Sequence, residues 1–176
     1  MSIEANITNK LFSQAEYKVY AVLDGASVPG LPKKLEGLGV HHSCLFTGQL
    51  DIEIQQVAPY MARLDKDEAF TNWLLEKGWG KHWGIYLTAP DYIAYKDVRR
   101  HLRDLTQVRD PEGKVMFFRY YDPRVFRVFA PSCDEEEYKE ILGPFSRVLL
   151  EGEEEKELVI FSRESGKMNM QQEKLM

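Results

Sequence analysis

Two arginines, Arg119 and Arg124, stand in one very apolar stretch, Phe117-Phe118-Arg119-Tyr120-Tyr121-Asp122-Pro123-Arg124-Val125-Phe126. A guanidinium among such neighbours requires a partner, because burying an unpaired charge is expensive. The partner is a carboxylate of the same chain, in which case the pair is structural, or an anionic group supplied by something else. Asp24 and Asp122 are the internal candidates. Asp24 follows an apolar run, where many α/β enzymes carry a catalytic or metal-binding carboxylate, but the Asp24-Gly25 sequence favours a capping or turn role.

The other reactive side chains do not converge by spacing. His41 and His42 lie beside Cys44, yet residues one or two apart on a strand do not form an activated dyad by spacing alone, and no cysteine-enzyme signature surrounds them. The four histidines, at 41, 42, 82 and 101, lack zinc-ligand spacing. Gly37-Leu38-Gly39 lacks the further glycine and lysine of a phosphate loop, and there is no Gly-x-Ser-x-Gly elbow. No catalytic, cofactor or metal set is expected.

The elements that must position these residues can be read from periodicity. Tyr17–Leu23 is apolar at both alternating sets of positions, as in a central strand covered on both faces. Further strands are expected near His41–Phe46, Ala58–Leu64 (with Pro59 suggesting an edge or an entry position) and His82–Thr88. Residues 2–14 and Pro29–Leu38 each suit a short helix, and Asp65 with Glu68 reads as a capping box for a helix to about Lys77. Tyr92–Leu105 is the clearest amphipathic helix, with Tyr95, Val98, Leu102 and Leu105 as its buried stripe.

Asp110-Pro111-Glu112-Gly113 reads as a hairpin turn into a strand over Lys114–Tyr121. Asp122 then offers an N-cap and Pro123 fits the first helical position. Ser132 and Glu135 suggest another capping box, and Phe145–Leu150 with Leu158–Phe161 a final hairpin. The reading is an α+β fold with a mixed sheet and flanking helices, one domain over residues 1–162 with room for two packed lobes. Residues 163–176 read as a flexible tail.

Composition narrows the function classes. The chain has 176 residues, 44% hydrophobic and 29% charged, with a net charge of −5, so it can bury a real core and lacks a nucleic-acid-binding balance. Its two cysteines form no disulfide framework, its start is unlike a signal peptide, and no apolar run is long enough to span a membrane. A cytoplasmic protein is expected. Charge is uneven: Tyr95–Arg127 carries nine basic against five acidic residues, and Ser132–Glu157 three against ten. Oppositely charged solvated faces account for this, as would a polarised surface for a charged partner.

Several segments together carry a resemblance. They are Val22-Leu23-Asp24-Gly25-Ala26, Cys44-Leu45-Phe46, Ala58-Pro59-Tyr60, Trp79-Gly80, His101-Leu102-Arg103, Asp110 with Gly113, Phe118 through Val125, and Leu142-Gly143-Pro144. In this order the chain resembles the type VI secretion effector chaperones, or adaptors, of the Tap/Tec type. The resemblance implies a non-enzymatic protein that binds a secretion effector in the bacterial cytoplasm and helps load it onto the VgrG spike protein.

Within that frame, Asp24, Arg119, Asp122 and Pro123 are expected to be structural. Arg119 and Asp122 would hold the strand–helix corner, while Arg124, Arg127, Trp79 and Tyr120 are candidate partner contacts. Two other classes compete: a toxin-neutralising immunity-type protein, and a small enzyme using Asp24, His82 or His101 as acid or base.

Overall fold

The computed structural model describes residues 2–175. Helices α1 (Ile3–Leu11), α2 (Leu31–Gly37), α3 (Ile52–Val57), α4 (Ala69–Gly78), α5 (Tyr95–Asp104), α6 (Pro123–Phe129) and α7 (Glu135–Leu142) are interleaved with nine strands. The strands are β1 (Tyr17–Asp24), β2 (His42–Cys44), β3 (Pro59–Leu64), β4 (Gly84–Pro90), β5 (Gln107–Arg109), β6 (Val115–Phe117), β7 (Arg147–Glu151), β8 (Glu157–Glu164) and β9 (Lys167–Lys174). Seven of them form one sheet in the order β2-β3-β1-β4-β7-β8-β9; β5 and β6 form a separate hairpin.

The architecture is α+β, as expected, but the sheet is not mixed: every strand pairing is antiparallel. Runs apolar on both faces are commonest in parallel sheets. Here helices cover both faces of an antiparallel one. Val19, Ala21 and Leu23 of β1 pack towards α1, α2 and α4, and Tyr20 and Val22 towards α5, α6 and α7. The result is three layers around one sheet rather than two lobes. β3 is interior rather than at an edge, and Pro59 takes the entry position: as the first residue of the strand, its missing N–H breaks no ladder.

The C-terminal segment departs most from expectation. A boundary at residue 162 falls inside β8, and residues 167–174 form the edge strand β9, in register with β8 from Glu157↔Lys174 to Glu164↔Lys167. Ser165 and Gly166, both at positive φ, make the two-residue turn. Leu175 is buried against the core, and Lys10 on α1 meets Glu173 at 2.6 Å. A few anchoring side chains and the full β8 ladder order a polar segment that has little apolar patterning of its own.

Two helix starts are also shifted. α4 begins after Glu68 without a side-chain cap, and the capping box of α7 is Asp134 with Glu137 rather than Ser132 with Glu135. The expected strand over Lys114–Tyr121 ends at Phe117. Beyond it the Asp122 N–H bonds to the Arg119 carbonyl, and the turn folds Tyr120 and Tyr121 into the core.

Candidate functional site

β4 lies between β1 and β7 and runs against both, so the C-terminal ends of β1 and β7 meet the start of β4 at one end of the sheet. Asp24 closes β1, Glu151 closes β7, and His82 precedes β4. The start of α6 brings Asp122, Arg124 and Arg127 to the same corner. Its charges converge because of topology, not sequence spacing.

Asp24 is nearly sealed from solvent, and Arg119 Nη2 donates to its Oδ2. The same carboxylate accepts from the Ala26 N–H at 3.1 Å and the Ser27 hydroxyl at 2.9 Å. Asp122 caps α6 through the Arg124 N–H at 2.9 Å, and the Arg124 side chain grips it with Nε at 3.0 Å and Nη2 at 2.7 Å. Burial alone would raise the Asp122 carboxyl; the Arg124 donors outweigh it and hold the group below its ordinary value. The pairing therefore differs from the expected Arg119–Asp122 strut: Arg119 serves Asp24, and Arg124 serves Asp122. Arg119 is not internal either, its side chain being 51% exposed, and Arg124, a candidate partner contact, is 57% exposed. Each is an exposed cation oriented by a buried acid. Pro123 occupies the first helical turn and is buried.

Beside this pair, the buried Glu151 accepts the His82 backbone N–H at 3.0 Å. His82 Nδ1 lies 2.8 Å from the same oxygen but outside hydrogen-bonding alignment. Burial pushes the Glu151 carboxyl up to about 7 despite the N–H groups of His82 and Gly80 and the charge of Arg127. Burial, with Arg124 and Arg127 nearby, depresses the His82 ring. His82 also sits at φ 56, a strained backbone for a non-glycine residue. Glu151 was hidden at the head of the acidic Glu151–Glu157 run. The signal available was Val148-Leu149-Leu150 before it, an apolar run ending in an acid as at Asp24.

Three candidate contacts are engaged elsewhere. Trp79 is buried and its Nε1 donates to the Glu155 carbonyl at 2.8 Å; Tyr120 is buried and its hydroxyl donates to the Leu102 carbonyl at 2.9 Å. Arg127 Nη1 donates to the Glu151 carbonyl at 2.6 Å and to that of Gly152. Only Arg124 of that set offers an open surface. His101 packs on Phe145 and bonds the Ile141 carbonyl, and Cys44 is a free thiol. Among the described residues, no group of three or more His, Cys, Asp or Glu could hold a metal ion.

A second feature lies away from this corner. Among the described residues, eleven large apolar side chains are exposed, and seven of them belong to two elements: Ile52, Ile54 and Val57 on α3, and Val108, Val115, Met116 and Phe117 on the β5–β6 hairpin. Between them runs a groove of about 540 Å³. Phe46, Leu50, Ile54, Val115 and Phe117 are among its lining residues, and the rings of Phe46 and Phe117 pack on each other with centroids 5.1 Å apart. α3 buries none of its residues, and both strands of the hairpin are exposed throughout. Of these seven, Ile54, Val108, Val115 and Phe117 line the groove, and exposed apolar groups gathered at a groove are a feature of interaction sites.

The family described as "Domain of unknown function (DUF4123)" matches residues 19–140. The chain belongs to that family. No curated protein and no solved structure matches it. The DUF4123 match takes in Asp24, Arg119, Asp122 and Arg124 together with α3 and the β5–β6 hairpin, so the arginine corner and the groove both lie inside the family's span. Glu151 and strands β7–β9 lie beyond it.

Proposed function

We propose that this DUF4123 protein is a type VI secretion effector chaperone, or adaptor: it binds an effector in the cytoplasm and helps load it onto the VgrG spike protein, working by binding rather than turnover. The observation that carries the reading is the gathering of exposed apolar side chains on α3 and the β5–β6 hairpin. Specific protein interfaces place aromatic and apolar anchors at a centre rimmed by polar groups, and Phe117, 69% exposed beside Arg103 and Arg109, has that setting.

The arginine corner supports the same reading. Asp24 and Asp122 each accept three hydrogen bonds from this chain, which suits structural anchors better than a general acid or base. The groove is lined by neither His82 nor Glu151. Co-expression with candidate effector and spike proteins from the same genome tests the proposal: stable co-purification is expected, and turnover of a small substrate would favour an enzyme instead.

A further inference from the structure

The groove between α3 and the hairpin limits what it can hold. β5 and β6 are only three residues long, so an added strand would find few main-chain partners along their edges. The lining instead offers side chains: the packed rings of Phe46 and Phe117 with Leu50, Ile54 and Val115 around them. That arrangement suits one apolar stripe of a helix, whose anchors recur at i, i+3, i+4 and i+7.

The polar lining is biased towards cations. Arg103 and Arg109 line the groove against a single acid, Asp104. Arg103 donates to the Cys44 carbonyl at 2.9 Å while its Nε is buried without a partner. Arg109 is exposed and donates through one Nη only to the neighbouring Gly113 carbonyl at 3.0 Å. Both belong to the Tyr95–Arg127 span with its basic excess.

We infer that this groove receives an amphipathic helix of a partner protein, apolar on one stripe and acidic beside it, with Phe117 and Ile54 as the apolar contacts and Arg103 and Arg109 as the carboxylate contacts. The inference rests on the adaptor reading and specifies where and how the partner docks.

The probe is a fluorescein-labelled helical peptide of about 18 residues, with leucines on one stripe and glutamates flanking it, titrated with the full chain by fluorescence anisotropy; its twin carries lysines in place of the glutamates. The glutamate peptide should bind the wild type and Val128→Asp alike, Val128 being exposed on α6. The lysine twin should bind roughly tenfold more weakly, as should the glutamate peptide to Phe117→Asp or Ile54→Asp. Arg109→Glu should narrow the preference between the two peptides. Equal binding of both peptides by the wild type overturns the inference, as does indifference to Phe117→Asp in a variant whose circular dichroism is native. So does self-association of the chain that Phe117→Asp abolishes, since a second copy would then be the occupant. The two readings fail separately. If Phe117→Asp and Ile54→Asp still co-purify with an effector that the wild type binds, this docking site is wrong and the adaptor reading stands; if the wild type co-purifies with neither effector nor spike, the adaptor reading falls whatever the peptide does.

Discussion

His82 and Glu151 meet where β4 begins and β7 ends: the His82 N–H donates to Glu151 Oε2 at 3.0 Å, and its ring nitrogen closes on the same oxygen to 2.8 Å. Glu151 holds its proton more tightly in the folded chain, at about 7, than at its ordinary 4.5. The folded state is therefore the more protonated between those values, and stability falls as pH rises through them, by on the order of 3 kcal/mol. His82 acts in the opposite sense: its depressed pKa makes acidification below about 6.5 unfavourable to the fold. Glu151→Gln removes the Glu151 contribution only. Urea unfolding should show the variant gaining on the wild type as pH is raised from about 5 to about 8; parallel profiles would refute the assignment.

Arg119 and Asp24 form an unequal pair, one half-exposed and the other sealed. Removing the arginine leaves Asp24 its bonds from Ala26 and Ser27 and lets water approach. Arg119→Ala should therefore destabilise by ~1–2 kcal/mol, less than the ~3–5 kcal/mol typical of breaking a fully buried pair. Asp24→Ala strips the Arg119, Ala26 and Ser27 donors of their acceptor and should cost more than Arg119→Ala. Chemical denaturation of the two variants checks the order.

The central layer of the fold was legible because apolar residues at both alternating positions of Tyr17–Leu23 require cover on both faces, and β1 has it. The amphipathic α5 and the Asp122-Pro123 start of α6 were equally plain. Strand direction was not, because apolar runs on both faces do not distinguish parallel from antiparallel neighbours once helices cover the sheet. At the site, the sequence reading placed Arg119 on a strand, and the turn after Phe117 redirected it to Asp24, ninety-five positions away. α3 escaped notice because it is six residues long, under two turns, so its apolar residues Ile52, Ile54 and Val57 have no room to show a helical period.

Strand β9 supplies the partner for all of β8. Truncation after residue 162 should lower the thermal midpoint and promote association through the uncovered β8 edge, read by scanning calorimetry and light scattering. Full retention of stability and monodispersity would return residues 163–176 to the status of a tail.

Gly143 closes α7 at φ 53, and a Cβ there would lie 2.2 Å from the His101 ring. Gly143→Ala should cost roughly 2 kcal/mol or more, since it adds a left-handed backbone penalty to a clash with a ring held between Phe145 and the Ile141 carbonyl. Thermal unfolding of this variant beside a surface control such as Val128→Ala measures it.

The most direct measurement is co-purification of the wild-type chain with candidate effector and VgrG proteins from the same genome, followed by calorimetric titration of the purified components. The adaptor account predicts a stable complex with the effector, formed without chemical change in either protein. Absence of binding to both proteins at concentrations of about 100 μM, where even weak specific complexes form, would contradict it.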